Sequence, residues 1–218
     1  MEHKLTDEQL AVITAATDTK DNILVSALAG AAKSTTLERV THALPGVNML
    51  YLAFNKRIAD DMKPRLPLNA KAQTLNSLGH QSWAQTVGHR LTLDFRKAFN
   101  ILSTIIGELP SDDQRIAWKS SSFLLKSFRE GKAAGYVPDS FETTRPNKRL
   151  MSDEEYFMSL PEEPNDLEAD ILVRMAEVSI EQAFAGVIDF NDQLLMPTVF
   201  RSFFPRYSLI LVDETQDL

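Results

Sequence analysis

The chain has 218 residues, 44% hydrophobic and 24% charged, which is enough for one large domain or two small ones with cores of their own. It has no apolar run near the ~18 residues of a membrane span and no signal-peptide pattern; the lack of cysteine excludes disulfides and thiolate metal sites and fits an intracellular, cytoplasmic protein. The formal charge of -7 is local: residues 152–181 hold ten acids and one base, Arg174, while the remainder holds 20 acids and 22 bases, so charge alone does not exclude a nucleic-acid partner.

Lys4–Ile13 reads as a helix capped by Thr6, and Gln9 three residues later completes a capping box. The Gln9 amide, donor and acceptor at once, equally suits the edge of an adenine. The two roles are compatible.

The apolar run Asn22–Leu28 reads as a strand, and a helix is expected over Thr35–Leu44, ended by Pro45-Gly46. Between them lies ALAGAAKSTT, residues Ala27 to Thr36, in the strand, loop, helix order of a phosphate-binding loop. In such a loop the backbone N–H groups of Ala29, Gly30, Ala31, Ala32 and Thr35 face phosphates, Lys33 neutralises them, and the Ser34 hydroxyl holds Mg²⁺. The spacing departs from G-x-x-x-x-G-K-[ST], because Ala27 and Ala32 occupy the two glycine positions and only Gly30 remains. A positive φ at position 32 would cost an alanine ~1–3 kcal/mol. Taken alone, the loop reads equally as an ordinary strand-to-helix turn.

A strand over Asn48–Phe54 precedes a helix that Asn55 caps and that runs to Met62. Ligands bind at the C-terminal ends of strands in open α/β sheets. Phe54, Asn55 and Lys56 therefore suit base stacking and phosphate contact, or simply a solvated turn. Lys71–Leu75 is a further strand, with Thr74, Asn76 and Ser77 available to phosphate or sugar and His80 read as a half-buried packing residue.

From about Trp83 helices replace the βα rhythm. Phe95, Phe99, Leu102 and Ile106 recur at helical spacing and read as a core stripe. Phe123, Leu124 and Phe128 form a second stripe, with Arg115, Lys119, Lys126, Arg129 and Lys132 outside it as a solvated face or a nucleic-acid track. Pro138–Pro164 reads as a long loop or mobile arm, and Leu167, Ile171, Met175 and Val178 resume a helical stripe. Ile188–Pro197 reads as a short helix stopped by proline. Tyr207–Val212 is a buried parallel-type strand that delivers Asp213 and Glu214, one carboxylate for a metal and the next to orient and deprotonate water.

In their order, Gln9, the ALAGAAKST loop, YLAFNKRIADDM, TLNSLGH, IDFNDQLLMP and LILVDETQDL resemble the motifs of UvrD/Rep-like superfamily 1 DNA helicases, and YLAFNK and DFNDQLLMP are most similar to the F-box DNA helicase branch. The resemblance spans nearly the whole chain. It implies an α/β fold, a RecA-like P-loop NTPase lobe with a parallel sheet over residues 1–85 and 186–218. A mostly helical insertion at 86–185 interrupts it, with an acidic mobile segment at 138–166. It further implies that Gln9 contacts adenine, Lys33 the β- and γ-phosphates of ATP, and Ser34 with Asp213 the Mg²⁺. Glu214 would be the general base, and Phe54, Asn55, Lys56, Thr74, Asn76 and Ser77 would line a single-stranded DNA path. Ala32 and Asn76 depart from the family, which usually has His at the second position. The motifs that follow Leu218 in the family, including the second RecA-like lobe, lie outside these residues. The expected function is that of an ATP- and single-stranded-DNA-binding portion of a helicase that does not unwind DNA alone, with a separate polypeptide supplying the second lobe. The alternative is a non-enzymatic helicase remnant acting as a DNA- or protein-interaction module. No membrane association is expected.

Overall fold

The computed structural model describes residues 5–28, 30–140 and 151–217, so Ala29 and part of the expected acidic arm, 141–150, lie outside the described residues. The chain divides into two compact units, residues 1–75 with 205–218, and residues 76–204. Among the described residues no helix is long and apolar enough to cross a membrane.

The first unit opens with α1, Asp7–Asp18, whose N-terminus carries the expected capping box: Gln9 N–H donates to Thr6 Oγ1 at 3.3 Å and Thr6 N–H to Gln9 Oε1 at 3.0 Å. After α2, Lys33–Ala43, come β1, Met49–Ala53, then α3, Lys56–Met62, a single 3-10 turn, and β2, Ala70–Thr74. The unit closes with β5, Leu209–Val212. The strands form a parallel sheet in the order β2-β1-β5, with Tyr51 beside Ala72 on one side and Leu211 on the other. All five residues of β1 are buried, as a central parallel strand covered on both faces requires. Met49, Tyr51 and Ala53 alternate onto one face, where Val40, Ala59, Met62, Ala72 and Leu211 pack against them.

Asn22–Leu28, expected as a strand, joins no ladder, and Leu24 and Leu28 are 88% and 85% exposed. A strand exists only where a neighbour accepts and donates its backbone hydrogen bonds. Among the described residues β5 pairs only with β1, so its other edge is open, and Asn22–Leu28 does not take it up.

The second unit begins in α4, Leu75–Val87, followed by β3, Thr92–Leu93, and then α5, Lys97–Glu108, α6, Ser111–Lys119, and α7, Ser121–Ala134. Next are α8, Asp153–Ser159, α9, Asp166–Phe184, β4, Val187–Ile188, and α10, Asp192–Val199. β3 and β4 pair in parallel. Part of the segment expected as a mobile arm is thus helix: Ser152 and Glu155 form a capping box on α8, and Tyr156, 1% exposed, stacks on Tyr136 at 4.0 Å. The acids at the start of α8 favour the positive end of the helix dipole, so part of what reads as an acidic loop or mobile arm is a helix start.

α5 buries Ala98, Ile101, Leu102, Ile105 and Ile106 against Leu124 and Phe128 of α7 and Ile171, Leu172, Met175 and Ala176 of α9. The expected stripe is therefore corrected at its start, since Phe95 and Phe99 are 72% and 37% exposed while Leu102 and Ile106 are wholly buried. α10 runs past Pro197 to Val199 instead of stopping there. It meets α4 where a Cβ on Gly79 would lie 1.8 Å from the carbonyl oxygen of Gln193, so only glycine allows that approach.

Candidate functional site

Because β1, β2 and β5 are parallel, their C-terminal ends share one edge of the sheet. Asp213 leaves β5 there with its N–H donating to Leu52 O at 3.0 Å, which holds its carboxylate beside β1. Two hydroxyls donate to Asp213 Oδ2 at 2.6 Å, Ser34 Oγ from the first turn of α2 and Tyr51 from β1. Asp213 is 3% exposed. Burial, then the Asp213 hydrogen bond, push the Tyr51 hydroxyl above its ordinary value, so it remains a donor throughout the physiological range.

Lys33 Nζ lies 3.2 Å from Glu214 Oε1, and Gln216 Nε2 donates to Glu214 Oε2 at 2.5 Å. Those interactions, Gln216 first and Lys33 second, hold the Glu214 carboxyl below its ordinary 4.5. Sequence-distant residues, Lys33 and Ser34 on one side and Asp213 and Glu214 on the other, thus meet in two polar contacts.

The loop leading into α2 turns through Gly30 at φ 81° and Ala32 at φ 57°, ψ 36°. Position 32 has the left-handed geometry that costs an alanine ~1–2 kcal/mol. As the N-cap residue Ala32 offers no side-chain acceptor, so the first N–H groups of α2 have no side-chain cap. Ala31 N–H is used in a turn, to Leu28 O at 3.2 Å, and Thr35 is half-buried in the first helical turn. Gln9 keeps its capping role while its Nε2 donates to Thr36 Oγ1 at 3.1 Å, and that hydroxyl in turn donates to Ala32 O at 3.1 Å. α1 is thereby tied to the loop.

Ser34 and Asp213 supply a hydroxyl and a carboxylate, hard oxygen donors of the kind Mg²⁺ takes together with phosphate oxygens. Among the described residues no group of three or more His, Cys, Asp or Glu could hold a metal by protein ligands alone. The donor set therefore fits a cation that arrives with phosphates.

Of the residues expected on a nucleic-acid path, Phe54 follows β1 and is 47% exposed, Lys56 is exposed at the start of α3, and Asn55 Oδ1 accepts from Ile58 N–H at 3.0 Å as its cap. Thr74 ends β2 in register with Ala53. In the second unit Asn76 Nδ2 donates to Phe190 O at 3.0 Å, and Ser77 is half-buried. His80 Nδ1 lies 3.3 Å from Gln193 Nε2 in a packing contact, as expected.

Two features escape a reading of the sequence. Tyr51 sits in an otherwise apolar strand, and a buried tyrosine hydroxyl needs a partner, but nothing local names Asp213. The other is a buried cluster in the second unit. Lys97 Nζ lies 2.7 Å from Asp192 Oδ2 and 2.7 Å from Ser179 O, and Lys132 Nζ lies 2.6 Å from Asp192 Oδ1 and 2.7 Å from Asp189 Oδ2. Lys132, expected on the outer face, is 4% exposed. Its spacing of four from Phe128 and eight from Leu124 was the available signal. Burial depresses the Lys97 pKa against the pull of Asp192. Burial would raise that of Asp189, but Lys132 and the Asp192 N–H outweigh it and hold it low.

Residues 4–105 match an AAA domain family. The chain is 24% identical over 222 residues to F-box DNA helicase 1 of Gallus gallus, an alignment covering 99% of this chain and 21% of that protein. It is 32% identical over 76 residues to F-box DNA helicase protein 1 of Schizosaccharomyces pombe, covering 35% of this chain and 9% of that protein. No solved structure matches. The α/β unit with its small parallel sheet is consistent with the AAA match, and the chain is similar in sequence to these two F-box DNA helicases. It spans only about a fifth of the longer of the two alignments' relatives.

Proposed function

We propose that this chain is the ATP- and single-stranded-DNA-binding portion of an ATP-dependent DNA helicase of the UvrD/Rep-like kind. Its first unit is a RecA-like lobe, and the helical elements of its second unit are the insertion. The observation that carries this reading is the 2.6 Å hydrogen bond from Ser34 to Asp213, across 179 positions of sequence, which joins a lysine-serine loop to the acids at a strand end. Lys33 and the free N–H groups at the start of α2 bind the phosphates. Ser34 and Asp213 hold Mg²⁺, which neutralises phosphate charge when bound. Glu214, ionised and held by Gln216 and Lys33, orients water and accepts its proton once Lys33 has moved to phosphate. Gln9 presents its amide to adenine. Phe54, Asn55, Lys56 and Thr74 in the first unit, and Asn76 and Ser77 in the second, bind single-stranded DNA. Unwinding is assigned to the assembly with a second lobe, supplied by further chain or by a partner.

The test is titration with a fluorescent ATP analogue and Mg²⁺ on this chain and on Lys33→Ala. Saturable binding that the substitution weakens tenfold or more supports the reading. Equal binding by both proteins, or none by either, would sink it and leave a DNA- or protein-interaction module in its place.

A further inference from the structure

α5 already supplies the core of the second unit through Ala98, Ile101, Leu102, Ile105 and Ile106, while Phe99 on α5, Phe95 just before it and Trp118 on α6 are left outside that core. Phe95, Phe99 and Trp118 are 72%, 37% and 41% exposed. Their rings are grouped: Phe99 and Trp118 lie 6.3 Å apart and tilted by 45°, and Phe95 lies 5.5 Å from the exposed ring of Phe190. The Arg96 guanidinium stands 5.4 Å over the Phe99 ring. Exposed aromatic rings that meet in pairs, Phe95 with Phe190 and Phe99 with Trp118, point to a docking site more than single apolar residues scattered over a surface do.

The chemistry of the patch selects its occupant. Ring faces beside a guanidinium that stacks on one of them accept unpaired bases, whose π-faces a duplex would hide. Among the described residues neither Arg96 nor Lys119, next to Trp118, forms an ion pair, and Arg115 reaches only the exposed Asp112 at 3.5 Å. Asp94, the acid closest in sequence to Phe95, is occupied by Arg96 N–H at 2.8 Å and Asn100 Nδ2 at 3.1 Å. Within the same unit Asn76, expected as a DNA contact, donates to the carbonyl of Phe190, whose ring meets Phe95.

We propose that Phe95, Phe99 and Trp118, with Arg96 for phosphate, form a stacking platform for successive bases of a single strand. This rests on the single-stranded DNA reading above, and it adds a site that the helicase motifs do not contain.

The chain has two tryptophans, and Trp83 is wholly buried, so quenching by a ligand reports on Trp118. Labelled oligo-dT is titrated at low salt while anisotropy and tryptophan emission are followed together. Phe95→Leu, Phe99→Leu and Trp118→Phe are compared, with circular dichroism checking the fold and the ATP-analogue titration run in parallel. The expected result is quenching that saturates with binding and is lost in Trp118→Phe. Each Phe→Leu change should weaken binding about tenfold, the scale of one lost base stack, and an abasic strand of equal length should bind more weakly and leave emission unchanged. Binding without quenching and unaffected by Phe→Leu overturns the platform while leaving single-stranded DNA binding intact, and leaves a protein as the occupant of this face. Equal binding and quenching by the abasic strand also overturns it. Absence of any oligonucleotide binding overturns the platform and the DNA reading together, while the parallel titration reports separately on the nucleotide site.

Discussion

Two residues of the candidate site hold left-handed backbone, Glu214 at φ 53° and, leading into α2, Ala32. The Ala32 backbone, φ 57°, turns the chain so that Lys33 and Ser34 start α2 facing Glu214 and Asp213. The conformation costs an alanine ~1–2 kcal/mol, while glycine would avoid that strain but gain ~0.4–1 kcal/mol of unfolded-state freedom. Ala32→Gly should therefore raise stability by about 0–1.6 kcal/mol in urea unfolding. It should also tighten ATP-analogue binding, because a pre-formed loop costs less to order. A loss on both measurements would show that the Ala32 methyl is needed there. Tyr51 shows the opposite case, a residue whose neighbours remove tension by giving Asp213 a second donor.

At the level of elements, the cluster of Lys97, Lys132, Asp189 and Asp192 joins α5, α7 and α10 with the turn before α10. Taking charges out of water is costly, so the cluster is weak evidence for net stabilisation, but removing one member leaves another charge buried without its partner. Lys97→Met should cost about 3–5 kcal/mol in denaturant unfolding. The double variant with Asp192→Asn should be less destabilised than the sum of the single changes, by ~0.5–3 kcal/mol. Strict additivity would mean that the ammonium and carboxylate do not interact. The capping boxes of α1, α8 and α9 are a contrasting device, since both partners lie within one turn; only that of α1 is read from the sequence.

Across the whole molecule, Tyr51 in the first unit and Tyr136 and Tyr156 in the second have hydroxyls pushed above their ordinary value of 10.0, chiefly by burial, with Asp213, Asp153 and Glu130 adding to it respectively. A raised folded-state value contributes stability that is fully present below pH 10 and is lost as pH rises toward the folded values. Stability should thus fall on the alkaline side above about pH 10. Of the four tyrosines, these three should ionise, by absorbance near ~295 nm, only as the chain unfolds. Normal titration of these three in the folded protein would contradict the buried hydroxyl placements.

The sequence by itself determined what depends on neighbours a few positions apart. Hydrophobic runs gave β1 and β5, the short strand read at Lys71–Leu75 gave β2, caps gave the starts of α1 and α3, and Lys33-Ser34 with Asp213-Glu214 marked the candidate site by residue type. Only the tertiary structure decided what depends on distant partners. Asn22–Leu28 has strand composition but lacks a paired neighbour, so it is no strand. Phe95 and Phe99 keep helical spacing, but Phe95 lies before α5 begins and Phe99 falls outside the stripe by which α5 meets its core, so both are exposed. Lys132 faces inward because Asp189 and Asp192, 57 and 60 positions away, compensate its charge. Local propensity is carried by each residue and its near neighbours, whereas pairing, burial and charge compensation exist only once the remote partner is in place.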